Sequence, residues 1–260
     1  MRQRRRALVL LGVLVAAAVL APVAIGRGPD DVDLAARRLA PSLAHWLGTD
    51  DLGRDLFTRT MYGARVSLAV GLLAALVSTL LGGAIGGIAG VAPAAVDRAL
   101  MRLTDAALIV PRLPLLMLLG AAFAPSVPVL IVLVGAVGWM ETARVVRVEL
   151  RALVTRDFVQ AARATGVSAA RTLWRHLLPV VWPTVAVAAT LAVGRAMLLE
   201  SALSFFGVGV QPPTASWGNM LYQAQNALTT TPWLAIGPGT MIFVTVLTVN
   251  ALGESLDSRP

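Results

Sequence analysis

The sequence predicts an all-α integral membrane protein with six transmembrane helices, and two observations support this fold class. The first is composition: 57% of the 260 residues are hydrophobic, 14% are charged, and the mean hydropathy is +0.76. Such a chain is too apolar for an ordinary soluble domain. The second is the alternation of uncharged runs, such as residues 66–96 and 113–140, with stretches rich in arginine. Runs of this length are long enough to cross a bilayer as helices.

Composition also excludes several classes of function. A net charge of +8 would suggest a nucleic-acid partner in a soluble protein, but here the arginines cluster between apolar runs and act as a topology signal. The absence of cysteine excludes disulfides, thiolate metal sites and a cysteine nucleophile. His45 and His176 both lie in polar stretches, so we expect no metal site in this chain. We expect no enzymatic activity, since there is no lysine with which to build the phosphate-binding motif G-x-x-x-x-G-K-[S/T].

The first predicted helix covers residues 7–25 and makes residues 1–25 an N-terminal transmembrane segment. Four arginines precede it: Arg2, Arg4, Arg5 and Arg6. At about 1.5 Å per residue the apolar run reaches about 28 Å, close to the hydrocarbon thickness of a bilayer. A cleaved signal peptide is the alternative, because a basic start and small residues at 16–18 also fit that description. Both interpretations place the next segment outside the cell.

Residues 26–65 form a polar connector outside the membrane, in which six acidic residues and six arginines are mixed. Thr49 or Asp50 can cap an amphipathic helix in this connector. We expect Asp55 and Arg59 to pair four residues apart on its polar face. The apolar face would hold Leu52, Leu56, Phe57 and Met61. Such a helix would lie at the membrane surface, and the alternative that the residues alone favour is an ordinary amphipathic connector.

Residues 66–260 form the predicted core, with five further transmembrane helices. The uncharged run 66–96 supplies the first of them. Its second half contains five glycines, at Gly82, Gly83, Gly86, Gly87 and Gly90. These small residues let another helix approach closely, or they weaken the last turns of their own helix, and both effects can hold.

The uncharged run 113–140 is best divided between two helices, at the sequence Pro125-Ser126-Val127-Pro128. The division gives helices of about 103–124 and 127–146. It also returns the following arginine-rich loop to the side of the N-terminal arginines, as the positive-inside tendency requires. Arg112 then lies inside the third transmembrane helix near its cytoplasmic end, where it either snorkels to the interface or faces a cavity.

Two more helices complete the prediction. Residues 177–199 form the fifth, with Arg195 and Glu200 towards its outer end, where they meet a polar substrate or reach the interface. Residues 201–253 carry no charge, but glycines and Pro212-Pro213 forbid one continuous helix there. We therefore expect an external loop, then a sixth helix of about 233–252 that returns the C-terminus to the cytoplasm.

The most polar interruption of the second half is residues 155–179, which we call segment 155–179. Thr155 or Asp157 can cap a short helix, Gly166 can end it, and Ser168 can cap a second one. Pro179 predicts a break before the next apolar helix. Two basic helices around a turn also fit a DNA-binding helix-turn-helix, but apolar flanks on both sides embed this segment in a membrane protein. We therefore expect no nucleic-acid partner.

Segment 155–179 resembles the cytoplasmic coupling loop, or EAA motif, of ABC importer permeases, in which Glu-Ala-Ala precedes a glycine and a later Leu-Pro. The matching positions are Gln160, Ala161, Ala162, Gly166, Leu178 and Pro179. Two positions depart from the pattern, since Gln160 replaces the usual Glu and His176 an aliphatic residue. Residues 48–68 and 203–218 are similar to two signatures of dipeptide, oligopeptide and nickel permeases, G-T-D-x-L-G-R-D and F-x-G-x-G-x-Q-P-P-x-x-x-W-G.

This resemblance implies a type I ABC importer permease with a cytoplasmic coupling loop at about 147–179. It implies an ATP-driven importer of di- or oligopeptides, or alternatively of nickel or another metal chelate, in the inner cell membrane. The implied partners are membrane lipid, a homologous permease that forms a heterodimer, two ATPase subunits that bind ATP and Mg²⁺, and an extracytoplasmic solute-binding protein. The six EAA positions would contact an ATPase.

Three intramembrane charges, Arg112, Arg195 and Glu200, are candidates for the translocation path. The alternative is a different class of protein, an ion-coupled secondary transporter. It needs an ion path through the membrane, and the same three charges would have to form that path. The two hypotheses separate on whether transport requires ATPase subunits.

Overall fold

The computed structural model describes residues 2–123 and 126–257, and these residues form helices joined by loops and turns. The helices are α1 Arg2–Ile25, α2 Leu56–Val91, α3 Ala94–Ile109, α4 Arg112–Ala122, α5 Val127–Val154, α6 Asp157–Ala164, α7 Ala169–Thr172, α8 Leu178–Phe205, α9 Trp217–Ala224 and α10 Trp233–Asp257. A π-helical turn, Leu173–Leu177, joins α7 to α8, and short 3₁₀ turns lie at Leu34–Ala36 and Gln225–Ala227.

Four helical stretches among the described residues are long and apolar enough to cross a membrane: α2, α5, Leu173–Phe205 and α10. Helices α3 and α4 together supply a fifth if the bent pair counts as one span. The 24 residues of α1 would reach about 36 Å at about 1.5 Å per residue. The predicted all-α membrane architecture is confirmed, while the count of six spans stays a prediction.

Glycines bring α2 and α5 together along the centre of the fold. A Cβ added at Gly90 would lie 2.6 Å from the Leu150 side chain, and one at Gly86 would meet the backbone of Ala143. Glycine therefore permits an approach of the two helices that a larger residue would prevent. On the other side of α2, a Cβ at Gly83 would meet no atom within 4 Å.

The predicted third helix at 103–124 is wrong. Helix α3 ends at Ile109 and α4 begins at Arg112, and the two axes differ by 82°. The cause is Pro111, which lacks an N–H group and pushes Val110 into an extended conformation, with φ −71° and ψ 123°. Arg112 is thus the first residue of a new helix rather than an interior residue of a long one.

The predicted break before α5 is confirmed for the residues from Ser126 onwards, because Ser126 is extended and α5 begins at Val127. Ala124 and Pro125, which the prediction also used, lie outside the described residues. Helix α5 then continues to Val154, well beyond the expected end near residue 146.

The separate amphipathic helix capped by Thr49 or Asp50 is also wrong. Asp55 is the N-cap of α2, and its carboxylate accepts a 2.7 Å hydrogen bond from the Thr58 N–H. The Thr49 hydroxyl is used elsewhere, since it accepts from the backbone of Leu39 at 2.8 Å. Of the apolar residues expected in a surface helix, Leu56, Phe57 and Met61 therefore lie in the first turns of α2.

The expected pair of Asp55 with Arg59 does not form. Arg59 is completely buried, and its guanidinium lies 2.8 Å from a carboxylate oxygen of Asp30. Asp55 is already occupied, because its side chain caps α2 and also lies 2.9 Å from the imidazole of His45. These contacts hold the polar connector against the start of α2.

Candidate coupling and translocation sites

The turn in segment 155–179 is built around Gly166. Its φ of +76° is a left-handed conformation that favours glycine. The Val167 N–H donates to the Ala162 carbonyl at 3.1 Å, which closes the six-residue ring of a Schellman motif at the end of α6. The predicted helix–glycine–helix arrangement is confirmed, and α6 and α7 lie on the two sides of the turn.

Ser168 is the predicted cap of the second helix, and the structure confirms it. Its hydroxyl accepts from the Arg171 N–H at 3.4 Å, and its carbonyl accepts from the Thr172 N–H at 2.9 Å. The expected cap of the first helix is wrong. Thr155 instead ends α5, donating from its hydroxyl to the Ala152 carbonyl at 3.0 Å, because α5 runs on to the preceding residue. Asp157 lies in the first turn of α6, where its charge complements the helix dipole.

Gln160 makes a contact that the usual Glu at this position could not make. Its side-chain amide donates to the Val154 carbonyl at 3.1 Å. Carbonyls in the last turn of a helix have no partner within that helix, and a carboxylate has no hydrogen to donate to them. The amide therefore fixes α6 against the end of α5.

The two sides of α6 have different surroundings. Val159 is completely buried and packs in an apolar cluster with residues of α5, the π turn and α8: Val146, Leu150, Leu177 and Val181. Ala161, Thr165 and Gly166 are exposed, and Phe158 and Trp174 expose 46% and 73% of their surface. One side thus anchors the segment to two long helices, and the other presents apolar surface outwards.

Pro179 does not break the chain, contrary to the prediction. Leu178 and Pro179 are the first two residues of α8, and the π turn leads into them without interruption. The Leu178 N–H bonds five residues back, to the Leu173 carbonyl. A proline near the start of a helix lacks only an N–H, and the wider π turn accommodates it. A continuous helical path therefore connects Ala169 with Phe205.

A charge cluster lies between α4, α5 and α8. Arg112 binds one carboxylate oxygen of Glu141 at 2.7 Å, and Arg195 binds the other at 2.9 Å. The structure thus brings two of the predicted path residues together on a carboxylate that sequence reasoning missed. Glu141 directly follows the uncharged run 113–140, and its position there was the available signal.

Glu200 is not part of this cluster. It is completely buried, so it does not reach the interface, and its carboxylate accepts from the Ser204 hydroxyl at 2.8 Å. The Ser204 hydroxyl in turn accepts from the Val210 N–H at 3.0 Å. Glu200 therefore joins the end of α8 to the loop that follows it.

Residues 206–232, which we call segment 206–232, contain a helix that sequence reasoning missed. Helix α9 starts with a capping box in which Ser216 and Asn219 bond to each other's backbone. Ser216 was a signal for it, because serine is favoured at the N-cap of a helix. Trp217 is completely buried. Its indole N–H donates to the Thr60 carbonyl at 2.9 Å, and its backbone N–H donates to the Ser67 hydroxyl at 3.0 Å. Segment 206–232 is therefore packed into the helices of the core.

Comparison with known proteins identifies similar chains across most of the sequence. Residues 82–260 match the family described as binding-protein-dependent transport system inner membrane component. A putative peptide permease of Brucella suis is 39% identical over 251 residues, which cover 96% of this chain and 83% of the relative. A putative peptide transport system permease of Brucella abortus is 39% identical, covering 98% and 86%. The oligopeptide permease OppC of Bacillus subtilis is 34% identical, covering 96% and 82%.

Proposed function

Because the chain belongs to the family of binding-protein-dependent transport system inner membrane components, we propose that it is the permease subunit of an ATP-driven importer of peptides. The observation that carries this function is the extent of the similarity: relatives named as peptide permeases match 96% or more of the chain. The chain is a multi-pass α-helical membrane protein, as transport through a bilayer requires. Family members are membrane components of a transport system, so ATP hydrolysis is assigned to other subunits.

Segment 155–179 is the docking site for an ATPase subunit in this proposal. Its exposed surface includes Phe158 and Trp174, and apolar side chains of this size on a polar segment favour contact with another protein. The buried Val159 fixes the same segment to α5 and α8. A displacement of the docked ATPase would therefore reach α8 directly through the continuous helix that begins at Ala169.

The remaining components follow from this role. A homologous permease would complete the path as a heterodimer, and the open glycine face of α2 at Gly83 and Gly87 supports close packing of another helix. Two ATPase subunits would bind ATP and Mg²⁺, and an extracytoplasmic binding protein would deliver the peptide. The positive-inside tendency supports a cytoplasmic location for segment 155–179 and both termini in this proposal, and the importer would lie in the inner membrane.

The proposed cycle is mechanical. ATP binding closes the ATPase pair, the docked segments move with it, and the helices open the path towards the binding protein. Hydrolysis reverses the movement and opens the path to the cytoplasm. This chain would supply the path and the joint but no reacting group.

A tryptophan at Ala161 tests the docking surface. Ala161 is exposed, so Ala161→Trp leaves the fold intact but overfills the contact with an ATPase. Overpacking costs about 1–3 kcal/mol, so we expect roughly a tenfold loss of peptide uptake and of ATPase co-purification. The control is Ala44→Trp, at an exposed alanine of the connector, which should change neither. Full uptake by Ala161→Trp, with both ATPase subunits bound, would exclude this docking site.

A further inference from the structure

The cluster of Arg112, Glu141 and Arg195 lies deep in the membrane-spanning part of the chain. At about 1.5 Å per residue, Glu141 is about 21 Å from the start of α5 at Val127. Arg195 is about 15 Å from the end of α8 at Phe205, which lies on the same side of the membrane. The hydrocarbon layer is about 30 Å thick, so the cluster is near its middle. Charged residues at this depth almost always face the interior of a helix bundle or a water-filled cavity.

The charges of the cluster do not balance. Two guanidinium groups share one carboxylate, and among the described residues neither arginine has another acidic partner. Asp105 on α3 is already paired with Arg144, and the Glu200 carboxylate is bonded by the hydroxyls of serines. An uncompensated positive charge in a region of low polarity is unfavourable. The site is therefore suited to a second anion.

A small cavity and a free donor lie beside the arginines. The cavity has a volume of about 10 Å³, room for about one water molecule, and is lined by Arg112 and Arg195 together with Ser78, Gly138 and Ala192. Ser78 is 97% buried, given its exposed fraction of 3%, and its hydroxyl has no hydrogen-bond partner among the described residues. The Arg195 side chain is 39% exposed in the isolated chain, against 22% for Arg112. An incoming anion would thus meet Arg195 first and find an unused hydroxyl close by.

From this geometry we propose that Arg195 is the receptor for a carboxylate group of the transported peptide, which displaces Glu141 from Arg195 while Arg112 retains Glu141. The proposal rests on the function proposed above and names the chemistry that the path recognises. A guanidinium fork matches the two oxygens of a carboxylate, and every peptide with a free C-terminus carries one. The side chain of an acidic residue offers the same group.

Glu141 explains how such a site could bind without trapping its substrate. In the structure one Glu141 oxygen binds Arg112 at 2.7 Å, and the other binds Arg195 at 2.9 Å. When a peptide carboxylate binds the more exposed Arg195, Glu141 keeps Arg112, and each charge has one partner. When the peptide leaves, Glu141 bridges both arginines again. The exchange replaces one ion pair with another, so release requires no unpaired arginine.

Uptake by the complete reconstituted importer tests the receptor with three peptides. They are trialanine, trialanine amide, and the amide of Ala-Glu-Ala, each at a concentration that saturates the binding protein. We expect Arg195→Gln to slow uptake of trialanine by about tenfold or more, because hydrogen bonds to charged groups are the stronger ones. Uptake of trialanine amide should change by less than about threefold. If the glutamate-containing amide follows trialanine, any carboxylate is recognised; if it follows trialanine amide, the receptor is specific for the C-terminus.

Arg144→Gln is the matched control, since Arg144 is an exposed arginine one turn from Glu141 on α5. It should leave the ratio of the trialanine and trialanine amide rates unchanged. If Arg195→Gln does not assemble, Arg195→Lys keeps the charge but loses the fork, and it should reduce the same ratio by about threefold. Equal slowing of all three peptides, or no slowing, would overturn the receptor and leave a structural ion pair. Absence of uptake by the unaltered importer would instead contradict the proposed function.

Discussion

Segments 155–179 and 206–232 lie at opposite ends of α8, and they are stabilised in different ways. In the first, the hydrogen bonds are local, such as Val167 to Ala162 and Gln160 to Val154. In the second, Trp217 bonds to two residues of α2 that are distant in sequence. The first segment is a preformed surface fixed by one apolar contact area, whereas the second is part of the core.

The difference shows that the polarity of a segment does not decide its role. Both segments interrupt apolar helices, and both contain glycine turns with positive φ. What separates them is where their tryptophans lie, since Trp217 is completely buried while 73% of Trp174 is exposed. A segment that buries its largest side chain within its own chain stabilises the fold. One that exposes such a side chain is available to a partner.

Replacing the two tryptophans is the strongest test of this comparison. Trp217→Ala should lower the free energy of unfolding by about 3–5 kcal/mol, because it leaves a cavity between α2 and α9. Trp174→Ala is the matched change on the exposed side and should leave stability within about 0.5 kcal/mol. It should instead weaken co-purification of the ATPase subunits. Thermal unfolding of the purified permease measures the first effect, and equal destabilisation by both changes would remove the distinction.

A smaller effect is expected when a methyl group is added at the two glycine turns. Gly166 and Gly207 have φ of +76° and +78°, so alanine costs about 1 kcal/mol at either position. Neither added Cβ meets an obstacle, since its nearest neighbour is 3.6 Å away at Gly207 and beyond 4 Å at Gly166. We expect similar losses of stability but a several-fold loss of peptide uptake for Gly166→Ala alone. An equal loss of uptake for Gly207→Ala would show that both turns matter in the same way.

Local features of the fold could be predicted from the sequence because short-range chemistry determines them. Gly166 and Ser168 mark a turn and a cap whose bonds lie within a few residues. The run 66–96 predicted a span because the length of an uncharged stretch is enough for that. The start of α5 after Ser126 was likewise visible as a turn between two apolar runs.

Other features depend on contacts or competing effects that a single sequence does not specify. Arg112 and Arg195 were visible as intramembrane charges, but their common partner Glu141 lies on a different helix. The bend at Pro111 had a local signal, which the longer apolar pattern outweighed. At Pro179 the reverse happened, because a π turn preserved the helix where proline alone predicted a break.

The central claim is that segment 155–179 lies on the cytoplasmic side of the membrane, because an ATPase can dock only there. The chain contains no cysteine, so one introduced thiol reports one position. Thr165→Cys probes the exposed turn, and Leu43→Cys probes the connector at a side chain that is 97% exposed. With a membrane-impermeant maleimide, we expect Thr165→Cys to be labelled only in inverted vesicles, and Leu43→Cys only in spheroplasts. Labelling of Thr165→Cys in intact spheroplasts would contradict the account.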